Sequence, residues 1–286
     1  MKLSYSRVNT LRTCGEKYRL GYELGLKGVP SWAQIGGTVF HQAIENYERE
    51  RHGAEFDALT DPRRNWGLAL DEEAQRIIAD SDWTLEDIRP TGRLVKSGIT
   101  DAGGPNKKDR DWWVQMLPSM FQRYVNWSNA CPWHLWITPD GEPATEIAFE
   151  FEDANGDTIR GYIDQVWEDA LGNLIVVDAK TGQEPDSHGQ LGVYRIGLLK
   201  KFDVEARYGA YYLAGPGSTT MIHDLSAYTS ERIDWEFGKA AERIERRDFQ
   251  PNVDRHCSWC DFKDFCVYKD GERVNEVPLP WPSTNP

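Results

Sequence analysis

From residue 144 onward, apolar positions recur at every second residue. TEIAFEFE alternates over 145–152, ANGD supplies an Asn-Gly turn, and TIRGYIDQVWE follows at 158–168. A second turn, DALGN, leads into LIVVDAK at 174–180, a β-branched run suited to a buried strand. The pattern predicts a three-strand meander. After Pro185 the period lengthens: HGQLGVYRIGLLKKF reads as a helix, EARYGAYYLA as an aromatic strand and TTMIHDLSAY as a further strand. Before the meander, the spacing predicts a helix over 4–20. A second helix is expected to start at Thr38, an N-cap after Gly36-Gly37, and to run through Val39, Ala43, Ile44 and Tyr47. Residues 54–135 mix helical segments (LALDEEAQRIIAD, WWVQMLPSMFQRYVNW) with a loop rich in Gly, Pro and charge near 89–110. The carboxyl part holds a charged helix, ERIDWEFGKAAERIERRDF, a cysteine cluster and a Pro-rich tail. The reading is an α/β chain with amino-terminal helices (1–53), a helical insertion (54–140), a core (141–228) and a carboxyl-terminal helix with cysteines (229–286), one compact domain overall.

At 286 residues the chain can bury a sizeable core without staples, so any stabilising device calls for its own explanation. A composition 40% hydrophobic and 28% charged, with mean hydropathy -0.64, is that of an ordered protein. No apolar run approaches the roughly 18 residues of a spanning helix, and MKLSYSRVNTLRTC lacks a signal peptide's apolar stretch, so a cytoplasmic location with no membrane partner is expected. The net charge of -13 argues against coating nucleic acid by non-specific phosphate neutralisation. It leaves room for an enzyme that acts on nucleic acid, because cation-binding carboxylates add negative charge where the chemistry happens. Arg89, Arg93, Lys96, Lys107, Lys108 and Arg110 are candidates to line a basic groove, and equally read as a solvated loop.

The hairpin over 161–180 carries the most chemistry. With DALGN as a five-residue loop closed by Glu168 and Leu174, facing residues sum to 342 and Asp164 falls opposite Asp178. Cross-strand neighbours sit roughly 4.5–5.5 Å apart at Cβ, where like charges are destabilising. Lys180 projects from the same face about 6–7 Å further along the strand. A divalent cation bridging the acids accounts for this arrangement better than a buried salt bridge does. A register slip of one residue would send Asp164 to the other face. His41 lies on the second helix, three residues from Ile44, and imidazole is a common cation ligand. Gln190 and Tyr194, four apart, share a helical face.

Five cysteines do not make a disulfide framework in such a chain. Cys257, Cys260 and Cys266 form C-x2-C-x5-C, Cys14 stands alone near the amino end, and Cys131 reads as a small buried hydrophobe. Three clustered thiols call for a fourth ligand. Spacing alone leaves tetrahedral zinc, with His256 able to replace a thiol, and an iron–sulfur cluster both open.

GGTVFHQAIENYE, GYIDQVWED with VVDAKTG, and QLGVY together resemble the PD-(D/E)xK nuclease superfamily, specifically RecB-like exonucleases and their relatives in CRISPR adaptation and helicase-nucleases. The resemblance implies a restriction-endonuclease-like core, a mixed central sheet flanked by helices, with a helical insertion and a carboxyl-terminal iron–sulfur clip. It implies that His41, Asp164, Asp178 and the carbonyl of Ala179 hold Mg²⁺ or Mn²⁺. Lys180 would position or help deprotonate the attacking water, and Gln190 and Tyr194 would hold the lysine or the DNA strand. Glu146 matches an acidic position of the first strand, but an Asn-Gly turn with facing residues summing to 311 sets Ile147 rather than Glu146 against Asp164 unless a bulge or a longer loop reverses this. Cys14, Cys257, Cys260 and Cys266 resemble the family's [4Fe-4S] ligands, which would close a loop of about 240 residues.

The expected activity is a metal-dependent DNA exonuclease acting on single-stranded ends, with recombination or CRISPR-adaptation proteins as partners. Trp112, Trp113 and Trp127 are available to stack unpaired bases or to pack the core. The alternative is a non-catalytic DNA-binding or assembly subunit of such a complex.

Overall fold

A computed structural model describes residues 1–92, 94–95, 98–99 and 107–278. In order the chain forms β1 (Lys2–Leu3), α1 (Tyr5–Thr13), the short α2 (Gly15–Tyr18) and α3 (Trp32–Arg51). Next come α4 (Trp66–Ile78), the brief strands β2 (Leu94–Val95) and β3 (Gly98–Ile99), α5 (Arg110–Ala130) and β4 (His134–Leu135). The second half supplies β5 (Thr145–Glu152), β6 (Thr158–Glu168), β7 (Leu174–Lys180), α6 (Gly189–Phe202), β8 (Tyr208–Leu213), β9 (Ser218–Thr219), β10 (His223–Asp224) and α7 (Ser230–Glu245). Two compact units emerge, one from 1–29, 152–159 and 234–286, the other from 30–151 and 160–233.

The larger unit is built on a mixed sheet. β6 and β7 are antiparallel, with Gln165 opposite Val177 and Glu168 opposite Leu174. That is the predicted register, and it is fixed by the turn: Asp169 Oδ1 accepts from the N–H groups of Leu171 and Asn173, and Gly172 takes the left-handed conformation at φ 81°. α6 then carries the chain to β8, which lies parallel to β7 with Tyr211 beside Asp178. β4 and β5 both pair with β6, and β9 and β10 with β8. Ile175, Val177 and Ala179 belong to a core shared with Trp32, Ile35 and Phe40 of α3 and Trp113 and Leu117 of α5. Val176, Asp178 and Lys180 therefore point to the opposite face, toward α6.

The second helix starts at Trp32, not Thr38, because Ser31 accepts a cap bond from Gln34 N and the glycine pair lies inside the helix. Trp113 explains the glycine: a Cβ on Gly36 would lie 2.2 Å from its Cε3. Alanine is worth about 1 kcal/mol more than glycine in a helix, but overpacking costs about 1–3 kcal/mol or more. Against a rigid, fully buried indole the clash wins. Gly36→Ala is expected to lower stability by about 1–2 kcal/mol in denaturant melts.

Other elements differ as well. The helix expected over 4–20 breaks at Cys14, which is extended at φ -163° and ψ 118°. Gly15 N instead donates to Gln250 O, and a Cβ on Gly15 would meet Phe249 C at 2.3 Å. The strand expected over TTMIHDLSAY is two dipeptide strands, β9 and β10. Trp113 is 1% exposed and Trp127 packs on Trp167 and Tyr212, so these indoles fill the core; Trp112 also packs against it. Cys131 is half-buried at the end of α5 rather than in the core. Of the basic cluster, Arg110 is held bidentately by Asp71, while Arg93 and Lys96 lie outside the described residues. Among the described residues no helix is long and apolar enough to cross a membrane.

Candidate active site

β7 delivers Asp178 and Lys180, and the register of β6 sets Asp164 across from Asp178. Asp178 is fully buried and Asp164 nearly so. Asp164 Oδ2 accepts from Ala179 N at 2.9 Å. Lys180 Nζ lies 2.5 Å from Asp178 Oδ2 and donates to Gln190 Oε1 at 3.3 Å. α6 stacks Gln190 and Tyr194 on one face, where Gln190 Nε2 donates to the Tyr194 hydroxyl at 2.7 Å. That hydroxyl stands 3.3 Å from both Asp164 Oδ1 and Asp178 Oδ1. Its single proton can serve only one of them at a time.

From α3, His41 Nδ1 approaches Asp164 Oδ2 at 3.4 Å and Glu146 Oε1 at 3.6 Å. Glu146 is therefore in the site, contrary to the register of 311. The loop after β5 is one residue longer than the two-residue Asn-Gly turn, with Asp153 N donating to Asp157 O, so facing residues sum to 310 and Glu146 falls against Asp164; Glu146 itself adopts a left-handed φ of 45°. Glu45, one turn along α3 from His41, is a neighbour that sequence reasoning missed. Burial and the Glu146 charge push its carboxyl up. The signal was the i, i+4 spacing from His41.

Burial, then the Asp164 charge, pushes Asp178 up to about 7 against the attraction of Lys180. Burial also raises Asp164, with His41 pulling the other way. For His41, burial opposes the charged form, but Asp164 and Glu146 outweigh it and lift the imidazole to about 9. Burial and the two aspartates hold the Tyr194 phenol well above its ordinary value.

Ligand atoms of His41, Glu146 and Asp164 all lie within 4.8 Å of one another. Hard carboxylate oxygens with one imidazole suit Mg²⁺ or Mn²⁺, and a fully buried carboxylate beside them adds the charge such an ion needs. The residues thus fit a divalent cation. For Ala179, the structure shows its N–H orienting Asp164. A cation must displace the proton on His41, so apparent Mn²⁺ affinity is expected to climb with pH toward about 9. His41→Gln should flatten the upper part of that rise in calorimetric titrations.

The model of the PD-(D/E)XK nuclease superfamily matches residues 2–267. The chain is 36% identical to the "Gene 69 protein" of Mycobacterium phage D29, over 93% of this chain and 97% of that protein. It is 28% identical to the "Gene 69 protein" of Mycobacterium phage L5, over 93% and 96%. A solved structure described as "Crystal structure of SSO0001" covers 94% of this chain and 86% of its own at 14% identity and a TM-score of 0.39.

Proposed function

The chain belongs to the PD-(D/E)XK nuclease superfamily, and on that premise we propose that it is a metal-dependent exonuclease that hydrolyses DNA from single-stranded ends. The observation that carries this reading is the convergence of His41, Glu146, Asp164, Asp178 and Lys180 on one largely buried point. Two carboxylates crowded into low dielectric destabilise the fold unless the site uses them. Mg²⁺ or Mn²⁺, when bound, would supply Lewis-acid activation of water and relief of charge on the phosphate.

This chain's own residues would do the rest. Lys180, held by Gln190 Oε1, is placed to orient the attacking water and to stabilise negative charge on the phosphoryl oxygens. Gln190 holds the lysine through Oε1 and the Tyr194 hydroxyl through Nε2, and that hydroxyl stands within reach of either aspartate. The full set of acids and lysine favours an enzyme over a non-catalytic assembly subunit. The test is end-labelled single-stranded DNA beside covalently closed circles, with Mn²⁺, Mg²⁺ or EDTA. Metal-dependent shortening of the linear strand alone is expected, and none with Lys180→Ala. Cutting of the circles would overturn the end requirement, and cleavage persisting in the variant would overturn the mechanism.

In the smaller unit, Cys14, Cys257, Cys260 and Cys266 line one small cavity with Lys17, Lys263 and Lys269. Four thiols ringed by cations suit an anionic iron–sulfur centre, and we assign these residues to a [4Fe-4S] cluster with a structural role. The preparation should be brown after anaerobic purification; a colourless protein holding one zinc would instead support the tetrahedral zinc site with these ligands or His256.

A further inference from the structure

The connection between Lys180 and α6 carries a second ligand cluster that the nuclease reading does not use. Glu184 lies within it and His188 ends it as the residue before α6. Across from them, His223 opens β10, opposite Gly209 of β8. The two imidazoles stack with centroids 3.7 Å apart and planes 23° from parallel. His223 Nε2 approaches Glu184 Oε1 at 3.1 Å. One ligand atom from each of the three residues lies within 4.8 Å of the others.

A second observation marks this cluster as a site rather than a packing accident. His188 Nδ1 is buried and, among the described residues, has no hydrogen-bond partner. A buried polar atom left unsatisfied costs roughly 1–3 kcal/mol. Burial, and then the neighbouring His223, hold the His188 ring below its ordinary value, so it is neutral and keeps a lone pair. The backbone beside it is fixed from below: the Tyr211 hydroxyl, itself on a fully buried residue, donates to Ser187 O at 3.0 Å.

We propose that Glu184, His188 and His223 bind one zinc-class transition-metal ion, distinct from the oxygen-rich cation site at Asp164 and Asp178. Two imidazoles and one carboxylate form the donor set of Zn²⁺ and its borderline neighbours rather than of Mg²⁺ or Ca²⁺. With metal–ligand distances near 2.0–2.2 Å, ligand atoms stand about 3.3 Å apart in a tetrahedron. Glu184 Oε1 and His223 Nε2 already stand at that spacing, so the remaining movement falls to the stacked imidazoles, which must turn out of parallel for both lone pairs to meet one ion. The bound ion ties the 181–188 connection to β10. It thereby fastens the segment between Lys180 and Gln190, two of the residues that must stay in register.

The test counts metal on the full-length protein. Protein stripped with EDTA is equilibrated with excess Zn²⁺, gel-filtered and analysed for zinc, in an Asp164→Asn background that weakens the other cation site. His223→Gln is expected to hold one equivalent fewer than its parent. Glu184→Gln should keep the fold, since its side chain is exposed, and bind zinc at least tenfold more weakly. Imidazole proton resonances of His188 and His223 in the otherwise unaltered protein should shift together on zinc addition, which needs no variant to fold. Equal zinc counts with and without His223, or resonances that ignore zinc, would overturn the site.

Discussion

Asp178→Asn is expected to lower hydrolysis at least about 10³-fold, within the range for loss of metal-linked acid–base catalysis, while raising the melting temperature of the metal-free protein. The two effects share one cause. The carboxylate is fully buried, faces Asp164 and is pushed up to about 7, so the fold works against its charge. The sign follows from linkage. An acid whose folded-state value lies above the 3.8 of the unfolded chain favours the fold while protonated, and that advantage is lost as pH rises through about 7. At pH 8 the substitution removes the penalty, on the order of a few kcal/mol; at pH 4 the two proteins should melt alike. Lys180 keeps Gln190 as a partner in the variant. Melting curves in EDTA at both pH values, beside single-turnover rates with Mn²⁺, decide the matter. A variant that melts lower at pH 8, or cuts at an undiminished rate, would show that the buried charge is not held for chemistry.

How much of this was legible depends on what each residue's position rests on. The facing of Asp164 and Asp178 was legible because a five-residue turn with Asp169 and Gly172 leaves one register, and period-two alternation propagates it along both strands. Glu146 was not, because its place depends on one residue in a turn and on a left-handed backbone at the residue itself. A glutamate gives no warning of that. The Gly36-Gly37 pair read as a helix boundary because glycine is a poor helix former, whereas Gly36 sits mid-helix to admit the Trp113 indole across the core. Local propensity lost to a tertiary contact that no local window contains. The Glu184, His188 and His223 cluster was hidden for a related reason. His223 arrives on a two-residue strand whose existence depends on pairing with β8.

On the proposed assignment of these cysteines, Cys266→Ser is expected to abolish metal binding there and loosen the carboxyl-terminal part of the smaller unit, leaving the unit of 30–151 and 160–233 with its wild-type melting. Residues 255–276 contain only short 3-10 turns. Their buried apolar anchors are few, chiefly Phe262 and Phe265 beside Cys257. Burial raises the thiol of Cys260 and pushes that of Cys266 up to about 11, so without a metal these groups are neutral and contribute only modest packing. The proposed ligation would convert them to thiolates beside Lys17 and Lys263, and structural metal centres supply on the order of 10 kcal/mol of binding free energy to the fold they close. Losing one thiolate forfeits most of that, since a serine hydroxyl is a poor donor to iron or zinc. Limited proteolysis should then cut within 255–276 in the variant and not in the wild type, while near-ultraviolet circular dichroism of the tryptophan-rich α5 core persists. Wild-type protease resistance in Cys266→Ser, with metal absent by analysis, would mean that packing alone holds this segment and that the cysteines serve another purpose.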